Sequence, residues 1–121
     1  MYKVTKRLEI SASHKLDLPY ESKCSNLHGH NWIVDITVSS DELTDYGMVL
    51  DFVHIKNLIH NKLDHQNLNE ILSVNPTAEN IAWWIQHEIN LHLQLTEPNR
   101  PVMVSRVRVQ ESEGNIAEWS L

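Results

Sequence analysis

Two stretches decide the fold: VTKRLEISASHKL, Val4 to Leu16, and HGHNWIVDITVS, His28 to Ser39. In the first, Val4, Lys6, Leu8, Ile10, Ala12, His14 and Leu16 share one parity, while Thr5, Arg7, Glu9, Ser11, Ser13 and Lys15 share the other. Successive side chains of an extended chain point to opposite faces, so this alternation predicts a half-buried strand. After Gly29 the pattern returns, with Trp32, Val34, Ile36 and Val38 on one side and Asp35, Thr37 and Ser39 on the other. Between the strands, Asp17 to Leu27 holds Pro19 and Cys24 and is long for a hairpin, which predicts a functional loop. Antiparallel pairing sets the end of the first strand beside the start of the second. His14 then comes close to His28 and His30, all on the apolar side. Residues i and i+2 of a strand lie about 7 Å apart, a span two imidazoles can close on one ion. Three histidines at a sheet end match a zinc site with one position left open.

Downstream the period lengthens. Phe52, Ile55, Ile59 and Leu63 fall at helical spacing, and a second helix is expected from Thr77, with Pro76 before it and Ile81, Trp84, Ile85, Ile89 and Leu93 as its apolar stripe. Glu97 to Pro101 ends that helix. Two closing strands follow, Val102 to Glu111 and Ile116 to Leu121, around a turn of Glu113, Gly114 and Asn115. The order ββααββ predicts an α+β fold: a single domain, residues 1–121, with a four-stranded antiparallel sheet and two helices on one face. Such a sheet has exposed edges, and pairing them with other subunits predicts an oligomer.

The chain has 121 residues, 41% hydrophobic and 21% charged, with a formal net charge of -6, a balance that disfavours a nucleic-acid surface. The longest apolar run, Ile81 to Ile85, is too short to cross a bilayer, and the first residues show no secretory signal. A cytoplasmic protein is expected, in which the single Cys24 stays a free thiol. Eight histidines are the compositional oddity. His54, His60, His87 and His92 lie on the predicted helices and read as surface or partly buried groups.

Three further sites carry chemistry. Cys24, four residues before His28, is a small buried hydrophobe, a base or nucleophile activated by a nearby metal, or a fourth ligand that closes the site. Asp64 and His65 are adjacent in LDHQNLNE, where a carboxylate can orient an imidazole. Glu111 shares the inward parity of Val107 and Val109; it binds something in the site or forms a salt bridge with Arg106 or Arg108.

Taken in order, ISASHKL, CSNLHGHNW, GMVLDF, LDHQNLNE, PTAENIAWW and VRVQES resemble the 6-pyruvoyl-tetrahydropterin synthase and 6-carboxy-tetrahydropterin synthase family over nearly the whole chain. The resemblance implies a tunnelling-fold subunit whose sheets join in a multi-subunit barrel, a homo-hexamer of two stacked trimers with active sites at subunit interfaces. It makes His14, His28 and His30 ligands of Zn2+, Cys24 the acid/base residue, and Asp64 with His65 its proton relay. Glu111 matches the pterin anchor, and Thr77 and Glu79 fall in the segment lining the pterin pocket. Ile10 stands where the family usually has Phe.

Three residues between the cysteine and the HGH run, and the Asp of GMVLDF, resemble the 6-carboxy-5,6,7,8-tetrahydropterin synthases of queuosine biosynthesis. The implied substrate is 7,8-dihydroneopterin triphosphate, with Lys15, Lys23 and Arg7 as candidate triphosphate contacts. Three other functions remain open on sequence: a synthase stopping at 6-pyruvoyl-tetrahydropterin, a zinc hydratase or hydrolase, and a non-catalytic module around a closed structural zinc.

Overall fold

Strands β1 (Tyr2–His14) and β2 (His28–Ser40) pair antiparallel in a computed structural model that describes the whole chain, Met1 to Leu121. Their register runs from Tyr2 opposite Ser40 to His14 opposite His28, so the alternation of both strands falls on common faces. Leu8, Ile10, Ala12 and His14 are buried with Trp32, Val34, Ile36 and Val38, whereas Thr5, Arg7 and Glu9 point to the other, open face. The remaining elements are α1 (Phe52–Leu63), β3 (Gln66–Asn67), α2 (Leu68–Ile71), α3 (Ala78–Thr96), β4 (Met103–Ser112) and β5 (Asn115–Ser120). Helices α1 and α3 cover one face of the sheet through Ile55, Ile59 and Leu63 and through Ile81, Ala82, Ile85, Ile89 and Leu93. No helix is long and apolar enough to cross a membrane.

The sheet has five strands, in the order β3-β1-β2-β4-β5, rather than the four expected, and α2 makes a third helix. A two-residue strand and a one-turn helix are too short to carry a hydrophobic period. What makes β3 is the turn at the end of α1: His65 takes a left-handed backbone, φ +59°, and its N–H donates to the Ser11 carbonyl at 2.6 Å. Gln66 and Asn67 then run parallel to Ala12 and Ser13.

One boundary and two local details also differ. Strand β1 stops at His14 instead of reaching Leu16, because side-chain amides rather than a neighbouring strand take the next main-chain groups. Phe52 is exposed rather than part of the buried stripe; on the first turn of α1 it lines a groove with Tyr2 and Met48. At the β4–β5 hairpin the register shifts between Gln110 and Ser112, which makes Glu111 the extra residue of a bulge. The adjoining turn is closed by Gly114 at φ +80°, a conformation that a side chain strains.

Candidate metal centre and its clefts

The β1–β2 register that buries Ile10 against Trp32 also places His14 opposite His28 and Ala12 opposite His30. One ring nitrogen from each of His14, His28 and His30 lies within 4.8 Å of the others. The ring centroids stand 4.6 to 5.2 Å apart. Two of the rings are oriented by main-chain carbonyls: His14 Nδ1–H donates to Pro76 at 2.8 Å and His28 Nδ1–H to Asn26 at 2.6 Å. A carbonyl only accepts, so in both rings the proton sits on Nδ1 and Nε2 keeps its lone pair. Trp32 supports the group edge-on, 4.8 Å from His14 and 5.2 Å from His30, with its indole N–H donating to the Ala12 carbonyl.

Nε2 of His14 and Nε2 of His30 are both buried without a hydrogen-bond partner. A buried polar atom left so costs about 1–3 kcal/mol. Burial lowers the pKa of His14 and of His30 from the ordinary 6.5, opposed by the Pro76 carbonyl at His14 and by Glu111 at His30. Neutral rings, orphaned lone pairs and carbonyl-fixed tautomers suit a divalent metal. Cys24 and Glu111 lie outside the three-ligand group, so a bound ion would keep an open position.

Glu111 faces this centre, its Oε1 3.4 Å from His30 Nε2. The expected alternative of a salt bridge from Glu111 to Arg106 or Arg108 does not occur. All three residues lie on β4, and Arg106 pairs with Glu118 while Arg108 pairs with Asp35. Glu111, Thr77 and Glu79 line one cleft of about 640 Å³, together with Leu16, Leu18 and Tyr20. Thr77 caps α3 there by accepting the Asn80 N–H at 3.1 Å, and Glu79 sits on the exposed first turn.

Asp64 and His65 form a tight pair, with His65 Nδ1–H donating to Asp64 Oδ2 at 2.7 Å. The other carboxylate oxygen accepts the Ser11 N–H at 3.0 Å, and His60 Nε2 stands 3.8 Å from Oδ2. The Ser11 N–H first, then His65, hold the Asp64 carboxyl below its ordinary range. His65 opens onto a different cleft, of about 480 Å³, lined by Ser11, Ser13, Gly29 and Asn31 and also by His30, but not by Glu111. Cys24 lines neither cleft; it sits on a one-turn helix, Lys23–Ser25, capped by Ser22. One chain therefore gathers the three histidines beside Glu111, while His65, paired with Asp64, shares a cleft with His30 but not with Glu111 or Cys24. Of the candidate phosphate contacts, Arg7 is spent on Asp35, at 2.7 and 3.0 Å, whereas Lys15 and Lys23 are exposed. The carbonyls of Pro76 and Asn26, which orient the rings, leave no mark in a sequence.

The family model of 6-pyruvoyl tetrahydropterin synthase matches residues 3–120. The chain is 34% identical over 118 residues to the 6-carboxy-5,6,7,8-tetrahydropterin synthase of Bacillus subtilis, covering 92% of this chain and 80% of that protein. It is 39% identical over 94 residues to the synthase of the same name from Synechocystis, covering 70% and 72%. Among solved structures, the 6-pyruvoyl tetrahydropterin synthase of Caenorhabditis elegans superimposes with a TM-score of 0.76 at 22% identity, over 99% of this chain and 95% of that one.

Proposed function

The chain belongs to the 6-pyruvoyl tetrahydropterin synthase family, and from that premise we propose that it is a zinc-dependent 6-carboxy-5,6,7,8-tetrahydropterin synthase. It converts 7,8-dihydroneopterin triphosphate and one water into 6-carboxy-tetrahydropterin, acetaldehyde and triphosphate, as a cytoplasmic lyase of queuosine biosynthesis. The observation that carries the reading is the pair of buried, unpartnered Nε2 atoms of His14 and His30 beside the Glu111 carboxylate. His14, His28 and His30 hold the zinc. When bound, the ion acts as a Lewis acid toward the oxygens of the substrate side chain. Glu111 accepts two N–H donors from the pterin edge, and Thr77 and Glu79 close that end of the cleft. Cys24 moves protons between ring and side chain, and His65, oriented by Asp64, relays them.

Cys24 lines neither the cleft of His65 nor that of Glu111, in keeping with a relay that reaches it from a neighbouring subunit. That supports active sites at the interfaces of a homo-hexamer. The three-residue spacing between Cys24 and His28 and the names of the sequence relatives favour the carboxy product; the name of the C. elegans structural neighbour keeps the 6-pyruvoyl product as the second reading. Incubation of the zinc-loaded protein with dihydroneopterin triphosphate, followed by mass spectrometry, separates the two. Acetaldehyde with 6-carboxy-tetrahydropterin is expected; 6-pyruvoyl-tetrahydropterin without acetaldehyde establishes the second reading.

A further inference from the structure

Strand β1 ends at His14, and the main-chain groups that follow have no strand beside them. The Lys15 N–H donates to Asn69 Oδ1 at 2.8 Å and the Lys15 carbonyl accepts from Asn69 Nδ2 at 2.9 Å. Two residues on, the Asp17 N–H donates to Asn75 Oδ1 at 2.9 Å and the Asp17 carbonyl accepts from Asn75 Nδ2 at 3.0 Å. A carboxamide offers the donor and acceptor that a neighbouring peptide would, so two asparagine side chains stand in for a missing strand. Main-chain groups alternate in direction along an extended segment, so both clamps hold one edge and the residue between them faces the other. That residue is Leu16, and its N–H donates to the Cys24 carbonyl at 2.8 Å.

The clamps are themselves fixed. The Asn75 carbonyl accepts from the Thr77 N–H and from Asn80 Nδ2, each at 2.8 Å, and the next carbonyl, that of Pro76, orients His14. The Asn69 N–H donates to Asn67 Oδ1 at 3.1 Å. All four clamp hydrogen bonds are solvent-exposed, where water competes and net stabilisation is small. Their geometry accounts for them better than their contribution to stability does.

We propose that Asn69 and Asn75 are positioning residues for the Cys24 thiol: they clamp Lys15 and Asp17, and through the Leu16 N–H the clamped segment holds the Cys24 turn at a fixed place. The kinetic consequence rests on the synthase reading, but the placement of the thiol does not.

Asn→Asp at either position keeps the acceptor and the volume while setting a carboxylate oxygen against the carbonyl that the amide had bound. Cys24 is the only cysteine, so alkylation by iodoacetamide reports it alone. In zinc-loaded Asn75→Asp the alkylation rate at fixed pH should rise by about tenfold or more, with zinc content and melting temperature close to the parent's. For turnover, kcat should fall by about tenfold or more while KM stays within about twofold, since a displaced reacting group costs rate before affinity. Asn69→Asp, which breaks the less connected clamp, should show the same changes to a smaller degree and serves if Asn75→Asp does not fold. Alkylation within about twofold of the parent in a folded variant whose Leu16 amide exchanges faster overturns the proposal, because a broken clamp would then leave the thiol in place. An absence of turnover in the parent protein refutes the synthase reading and leaves the alkylation result to decide this one.

Discussion

At the scale of the residue, His14 is the most constrained group in the centre: fully buried, tied through Nδ1 to Pro76, and presenting Nε2 to nothing but its two neighbours. His28 and His30 complete the set from one strand, so loss of either leaves two ligands, too few for a firmly held ion. His28→Ala should lose most of its zinc by elemental analysis while keeping its fold, because His28 is only half-buried at the start of β2. Retention of one zinc per chain would show that the ion sits elsewhere. Glu111 is a different kind of residue, unsupported by any arginine and lodged at a bulge facing the ligands. A pterin presents an amino group and a ring N–H side by side, and a carboxylate accepts both in parallel bonds that charge strengthens. Glu111→Gln replaces one acceptor by an NH₂ that meets a donor. Losing a hydrogen bond to a charged group costs about 1.5–3 kcal/mol. Calorimetry should therefore show pterin binding weakened about tenfold to a hundredfold, with zinc content unchanged.

At the scale of the element, the Arg7–Asp35–Arg108 group ties β1, β2 and β4 across the open face. The Arg7 hydrogen bonds first, and Arg108 after, hold the Asp35 carboxyl below its ordinary 3.8 against the opposing effect of burial. A carboxyl depressed in the folded state contributes stability above the unfolded value, and loses it as pH falls through the folded one. Urea unfolding should therefore find Asp35→Asn less stable than the parent at pH 7, with the gap closing in strong acid below the ordinary carboxylate range. A gap independent of pH would assign the cost to packing rather than charge. This network could not be read in advance, since a charged residue on a polar strand face has many possible partners. The pairing of β1 with β2 could be, because the alternation of the two strands fixes the register that buries Ile10 against Trp32. That register carried the three histidines with it. Strand β3 and helix α2 stayed hidden: two and four residues show no period, and they depend on the left-handed turn at His65, which nothing local announces. The asparagine clamps stayed hidden for a related reason, because a side chain acting as a strand leaves the pattern of a loop.

At the scale of the whole molecule, the sheet ends on β5, whose outer edge has no partner in the chain, and on the two-residue β3. An open edge of this kind is normally paired or covered, and assembly with further copies does both. Such an assembly would also bring the clefts of neighbouring copies together. Glu111 shares its cleft with Thr77 and Glu79 at the start of α3, while His65 shares another with Ser11, Asn31 and His30. If an active site takes Cys24 from one subunit and Asp64 with His65 from the next, two inactive proteins can repair each other. Cys24→Ala and His65→Ala should each abolish turnover alone. Unfolding and refolding them together, in equal amounts with zinc, then builds some interfaces in which an intact Cys24 meets an intact His65. For random mixing around a closed ring, each requirement is met half the time, so about one quarter of the parent activity should return. A relay contained within one chain gives none, because every subunit in the mixture lacks one of its two partners. Recovery near the expected fraction, in particles that sediment as a hexamer, would place the relay between subunits, while inactivity of mixed particles of that size would return it to a single chain.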